Sequence, residues 1–417
     1  MKIKKKIKVD IADMKNIIKN IALLIPFFEL QSFEMLIDEG IRPGFLNILL
    51  QVFSLFRIVV TLYLFLDIFI KNKLKVSSIV VCTLVFVLLE NIVSFANGSI
   101  YLSYMAGSFT FIGFALMCSY MVKKSEYQFI IACKYLFGIL SILGALQIII
   151  MPYGFLNSSD KAFAIYLLGS KNSSFFYFVI YIFFAFYQDI KVYGKIKSKH
   201  ILLEVLFIIA SVYADSMNTL VMLILIFIFA IVFNYGKWIY RLISPISVIV
   251  LTIVIATVIL VPEIRKKLEP VLQIIDRNTS FTGRDVLWEQ AIADFIHKPL
   301  IGNGIMTKFR LKTGVFQGNA HSHYLDLLAK YGIFVFVSYI LIPICALAKS
   351  IKYAKQDKRF IALKSIIVFV ILFHSITDHM PFYHFILIMN AIELLSVVTD
   401  RKKLEENVIT CKEVSYG

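Results

Sequence analysis

Long apolar runs separated by short polar breaks dominate the chain. IVVTLYLFLDIFI (Ile58–Ile70) and MLILIFIFAIVF (Met222–Phe233) are two of them. They are runs, not the short apolar–polar alternation of a half-buried strand. About 20 apolar residues cross the hydrocarbon core as a helix. Read this way, the pattern predicts spans at approximately 17–36, 45–70, 77–96, 101–122, 127–151, 172–188, 200–214, 217–234, 239–262, 321–348, 361–376 and 381–398. The expected fold class is therefore an all-α integral membrane protein of about twelve transmembrane helices, forming a single polytopic domain over 1–417.

One long hydrophilic segment, 263–320, interrupts this plan between the ninth and tenth spans. Its own periodicity is helical. Thr282-Gly283-Arg284-Asp285 fits a capping box, with Thr282 as the expected N-cap. Leu287, Trp288, Ala291, Ile292 and Phe295 then recur on one face, and Pro299 and Gly302 end the helix. The loop is expected to hold a short amphipathic helix lying on the bilayer or against the bundle.

Composition agrees: 59% of residues are hydrophobic and 17% charged, with a mean hydropathy of +0.81. A net charge of +16 would suggest nucleic acid in a soluble chain. Here it follows from basic cytoplasmic loops, and no nucleic-acid partner is expected. With the N-terminus inside, the inside segments hold 28 of the 43 Lys and Arg residues and the outside segments 12. Both termini are thus expected to be cytoplasmic, in a multi-pass protein of the cytoplasmic (inner or sole) membrane. The basic N-terminal arm lacks a small-residue cleavage site and reads as a cytoplasmic lead-in rather than a signal peptide. The five cysteines show no CxxC or Cys/His spacing, so neither a disulfide framework nor a metal is expected, and no cofactor.

The loop 263–320 is outside in this topology yet carries nine basic residues, among them Arg277, Arg284 and Arg310. Long loops cross regardless of charge, but the cluster also suits an anion. Arg284 falls in the first turn of the amphipathic helix, where unpaired N–H groups and the dipole add positive potential. A guanidinium there can grip two phosphate oxygens, or can simply pair with Asp285. Gly302-Asn303-Gly304 follows no strand and reads as a turn, not a dinucleotide motif. Nothing resembles a P-loop or a G-x-S-x-G elbow.

Two histidines, His321 and His323, stand where the loop meets the tenth span. On a helix His321 would share a face with Tyr324, Leu325 and Leu328, and His323 would point about 200° away. They are not placed to share a metal. A neutral histidine can take a proton from a hydroxyl. His323 reads more simply as an interfacial hydrogen-bonding residue. The last outer turn, His374-Ser375-Ile376-Thr377-Asp378-His379, is either a solvated loop or a help to sugar hydroxyls. Asp326 and Lys330 fit an i,i+4 pair. Glu90 and Lys134 lie in apolar runs, where isolated charges are costly.

The stretch TGRDVLWEQAIADFIHKPLIGNG…NAHSHYLDLLAKYG resembles the signature of the O-antigen ligase and polysaccharide polymerase (Wzy-like) family. The matching residues are Arg284, Trp288, Pro299, Gly302, Gly304, His321, Tyr324, Leu325 and Gly332. The resemblance implies a membrane glycosyltransferase that moves a polyprenyl-diphosphate-linked (undecaprenyl-type) glycan on the outer face. On that resemblance Arg284 holds the diphosphate and His321 activates the acceptor. Tyr324 and His323 join as substrate-binding candidates. The chain departs from the family at Ser322, where Asn is common. It also departs at Ala214-Asp215-Ser216-Met217-Asn218-Thr219, which lacks a mid-chain arginine. Lys171 or Arg277 is the expected substitute.

The parts fit this chemistry on their own terms. An outer-face transferase has no nucleotide sugar available and needs a lipid-carried donor. Its diphosphate leaving group needs cations, and its acceptor needs a base. The expected activity is a polysaccharide polymerase joining repeat units into capsule or O-antigen-type polymer. A ligase with the same chemistry is the alternative, and a flippase of the same lipid-linked units is the rival class. The expected partners are the lipid-linked oligosaccharide, membrane lipids and other polysaccharide-assembly proteins. A Lys-, Ile- and Phe-heavy composition points to an AT-rich bacterial genome.

Overall fold

The computed structural model describes residues 11–28, 44–71, 76–98, 102–155, 161, 164–236, 239–267, 269–270, 283–311, 314–352 and 357–395. Arg277 and Thr282 lie outside the described residues. The helices are α1 (Ile11–Leu24), α2 (Gly44–Lys71), α3 (Ser78–Ala96), α4 (Leu102–Lys124), α5 (Glu126–Ile150), α6 (Ser174–Tyr193), α7 (Ser198–Tyr213) and α8 (Met217–Tyr235). There follow α9 (Ile239–Leu242), α10 (Pro245–Leu260), α11 (Pro262–Lys266), α12 (Arg284–His297), α13 (His323–Lys352), α14 (Lys358–Thr377) and α15 (Phe382–Leu394). The described sheet is a two-residue antiparallel pair, β1 (Phe309–Arg310) and β2 (Phe316–Gln317), in the loop before α13.

The protein is an all-α membrane protein. Among the described residues eight helices are long and apolar enough to cross a bilayer: α2 to α6, α8, α13 and α14. The other four expected spans fall on shorter helices, α1, α7, α10 and α15, of 14, 16, 16 and 13 residues.

Burial sorts the long helices. The apolar windows of α6 and α14 are 83% and 94% buried, against 11% for α2. A helix apolar all round belongs at the centre of such a bundle. α6 carries nine Phe or Tyr side chains from Phe175 to Tyr187, all of them buried. α14 packs against it and runs the other way. This antiparallel pair brings the start of α6 and the end of α14 to one face.

The opposite ends are stitched by polar groups. Glu393, late in α15, accepts from Ser78 N (3.0 Å) and Ile79 N (2.9 Å), which serve no carbonyl at the start of α3. Lys364, buried in α14, donates to the Ile392 and Leu395 carbonyls at 2.7 and 2.8 Å, where α15 ends. Gly194 caps α6 in the left-handed region.

The amphipathic helix of the long loop is α12. It packs on α13 and buries Leu287, Trp288 and Ala291. Its N-cap is Gly283 (φ 84°), with no side-chain cap. The expected Thr282 capping box therefore gives way to a glycine start.

Candidate active site

Two turns bring the loop to α13. The turn Pro299–Gly304 runs along α13: Asn303 N and Gly304 N donate to the Ala329 and Lys330 carbonyls at 2.9 and 2.8 Å, and Ile333 N donates to Pro299 O at 2.9 Å. These bonds need α13 to be interrupted, and it breaks at Gly332 (φ 76°, ψ −173°). A Cβ on Gly332 would lie 2.4 Å from Leu300 O, and one on Gly302 would lie 2.4 Å from the Lys330 carbonyl carbon. Both glycines are required by close backbone approach as well as by positive φ. The spacing from the G-x-G turn to Gly332 thus holds the loop against the bundle.

His321 is not on the helix, as the sequence suggested. It precedes α13 in a left-handed conformation (φ 50°). Its neighbours fix that turn: Ala320 N donates to Asp326 Oδ1 (2.8 Å) and His321 N to Asn319 Oδ1 (3.1 Å). Lys330 lies 3.8 Å from Asp326 Oδ1 and donates to Gly318 O at 2.6 Å. The Asp326–Lys330 pair therefore organises the turn that presents His321.

Asp378, at the end of α14, stands at the centre. Its Oδ1 lies 3.9 Å from His321 Nδ1 and its Oδ2 lies 3.9 Å from Arg284 Nη2. The same carboxylate accepts from His379 N at 2.8 Å and from the Asn172 side-chain amide. Arg284 Nη1 donates to the Thr377 carbonyl, and His323 N donates to Asp378 O at 3.2 Å. So the ends of α6, α12, α13 and α14 all meet at Asp378. The side chain of Asp378 is 12% exposed, while those of Arg284 and His321 are 22% and 35% exposed. The acid is the floor of the cluster and the two bases form its rim. Burial alone would raise the Asp378 carboxyl. The adjoining His321 and Arg284 more than offset this and hold it well below the usual carboxylate range.

The arrangement also orients His321. Its Nδ1 is the buried nitrogen and faces the carboxylate. A proton on Nδ1 would point towards the carboxylate and would leave Nε2 as the atom able to accept one.

A second layer comes from the middle of the chain. Ser216 Oγ donates to Asn172 Oδ1 at 2.6 Å and lies 2.8 Å from Thr219 Oγ1. Lys171 Nζ is 4.0 Å from Asp215 Oδ2, and Lys161 Nζ donates to Tyr213 O at 2.9 Å. Asp215 itself takes a left-handed turn (φ 52°) between α7 and α8. The segment that lacks the expected arginine is thereby joined to Asp378 through Ser216 and Asn172, with Lys171 beside it.

The remaining sequence candidates are placed differently. Tyr324 is buried, and its hydroxyl donates to Leu372 O at 2.9 Å. His323 is buried between the rings of Tyr339 (4.8 Å) and His379 (5.2 Å). Both sit in the packed interior instead of facing a groove. The stretch His374–His379 is not a solvated loop: His374 is fully buried and stacks on Phe175 at 4.3 Å. Burial lowers the pKa of His379, with Asp326 acting in the opposite sense. Asn172 was not among the expected site residues; Asp378 was expected only within an outer turn that is solvated or helps sugar hydroxyls, and Ser216 only within the stretch that lacks the mid-chain arginine. The signal for Asp378 was an Asp-His pair closing an apolar span at an outer turn.

Residues 202–340 match the family described as O-Antigen ligase. Over this third of the chain the protein is similar to the O-antigen ligase family. The matched stretch runs from α7 through the break in α13 and includes Asp215, Ser216, Arg284 and His321. Asn172 and Asp378 lie on either side of it, so the cluster joins the matched stretch to the flanking helices. No curated protein and no solved structure matches the chain. The family supports a ligase- or polymerase-type membrane glycosyltransferase acting on lipid-linked oligosaccharide.

Proposed function

We propose that the protein is a polysaccharide polymerase that transfers lipid-diphosphate-linked repeat units on the outer face of the cytoplasmic membrane. The observation that carries this reading is the meeting of Arg284 and His321 on Asp378. Arg284 would bind the diphosphate, with Lys171 and Arg277 supplying further positive charge. His321 Nε2 would take the proton of the acceptor hydroxyl as its oxygen attacks the anomeric carbon. The bond from that carbon to the diphosphate oxygen breaks, and the electron pair leaves on the diphosphate. Attack opposite the leaving group inverts the anomeric centre. Asp378 would stabilise the imidazolium formed on His321 and hold Arg284 in place, without itself accepting the proton.

For the membrane arrangement, we read α1, α7, α10 and α15 as the four remaining spans of a twelve-span, single-domain protein. Both termini are then cytoplasmic, and 263–320 and the Asp378 cluster face outward. The family description also favours a second reading, in which the same site ligates a finished glycan to a different acceptor.

Reconstituted protein given a polyprenyl-diphosphate-linked repeat unit tests both. Longer lipid-linked chains with released polyprenyl diphosphate are expected. Transfer that requires an added, unlike acceptor would replace polymerase by ligase. No release of polyprenyl diphosphate under either condition would overturn the glycosyl-transfer reading.

A further inference from the structure

Far from the Asp378 cluster, a cavity of about 500 Å³ opens between three connections: α6 to α7, α8 to α9, and α13 to α14. It lies at the other ends of α6 and α14, the helices whose near ends hold Asn172 and Asp378. Twenty residues of α6 separate the two places, which is about 30 Å along the helix axis. The cavity therefore belongs to the opposite membrane face.

Its walls are built. Asn234 makes two bonds to the Ile196 backbone, both at 2.9 Å, and ties α8 to the α6–α7 connection. Arg359 is fixed by Asp357, through Nε at 3.0 and 3.2 Å and Nη2 at 2.6 Å. Its Nη1 donates to Gly194 O at 3.0 Å. Tyr240 donates to Phe233 O at 2.7 Å. Asp357 is thus neutralised within the wall. Lys195 and Lys358 remain exposed at the cavity and make no ion pair with the described residues. Among the described residues the cavity therefore carries two uncompensated positive charges, Lys195 and Lys358.

Its depth in the membrane is set by the helices that end in it. α6 leaves the apolar zone at Tyr193, α8 leaves it at Tyr235, and α14 enters at Lys358. Tyr235 is 88% exposed, as an aromatic at a membrane–water boundary is. A cationic cavity at this level, between span ends, meets the phosphates of lipid headgroups.

We propose that this cavity binds the phosphate of an anionic phospholipid of the cytoplasmic leaflet, with Lys195 and Lys358 as the charged contacts. The leaflet assignment rests on the topology under the proposed function; the binding chemistry does not.

Full-length protein, purified in detergent, can be equilibrated with equal phosphatidylglycerol and phosphatidylcholine and examined by native mass spectrometry. Wild type should retain phosphatidylglycerol in preference. Lys195→Gln with Lys358→Gln should cut that preference about thirty-fold, roughly five-fold per lysine at a membrane surface. Wild type without preference, or a double variant that keeps it, overturns the proposal. Displacement of the lipid by millimolar inorganic phosphate would show a site for the free ion instead and also overturn it. No transfer activity is read, so the result is independent of the Asp378 cluster.

Discussion

Replacing Asp378 by Asn keeps the shape of the floor and removes its charge. The carboxylate sits 3.9 Å from both Arg284 Nη2 and His321 Nδ1. At an effective dielectric near 20, a unit pair at that distance is worth about 4 kcal/mol. The 35% exposure of His321 screens its share, so about half is a fair lower bound. If His321 becomes charged as it takes the acceptor proton, transfer loses between about 2 and 4 kcal/mol, or about 30- to 1000-fold in rate. The amide adds a second fault. Asp378 accepts from His379 N on one oxygen and from Asn172 on the other. Whichever way the substituted amide turns, its NH2 meets a donor, at a cost of about 1–3 kcal/mol in stability. The assay is release of polyprenyl diphosphate from a lipid-linked repeat unit by reconstituted protein, with folded amount matched by gel filtration. Asp378→Asn within about three-fold of wild type would refute the electrostatic reasoning.

Further predictions follow from the same geometry. Arg284→Lys keeps the charge but not the planar fork, and should lower transfer by about ten-fold or more, with Arg284→Ala lower still, in the same release assay. Asn172→Ala removes a donor from a buried carboxylate and should cost about 1–3 kcal/mol in denaturation of the purified protein. Gly332→Ala sets a Cβ 2.4 Å from Leu300 O at a positive φ; a loss of thermal stability exceeding that of Asn172→Ala is expected, and unchanged stability would contradict the docked turn. Because the folded-state pKa of Asp378 is depressed, its stabilisation is full above the unfolded carboxylate value near 4 and fades as pH falls below it. Wild-type stability should therefore drop more between pH 5 and about 3 than that of Asp378→Asn, and parallel curves would contradict the shift.

Much of the fold was legible because hydrophobic runs report burial in lipid directly. The helix over Leu287–Phe295 was legible for the same reason, since its apolar residues keep a 3.6-residue period. Backbone breaks leave no such trace. A continuous tenth span was expected from 321, yet His321 lies outside the helix and Gly332 interrupts it. The facing turn at Pro299–Gly304 explains the break at Gly332, and the bonds of Ala320 and His321 to Asp326 and Asn319 explain the turn before the helix. Arg284 and His321 could be singled out as a cation in a first turn and a base at a span's lip. Asp378 could not, because its value comes from partners far away in sequence: Asn172 is 206 residues earlier and Arg284 is 94. A carboxylate in an outer turn reads as solvated until the ends of α6, α12 and α13 are seen to meet at Asp378. Tyr324 shows the converse. It belongs to the motif, but its hydroxyl is used inside the bundle.

The measurement that bears most directly on the central claim is glycan product length in cells carrying His321→Ala, at matched membrane levels of protein. The account predicts loss of long polymer, with single lipid-linked units accumulating on the outer face. Wild-type chain length at a normal protein level would contradict it, and accumulation on the inner face would point to transport instead.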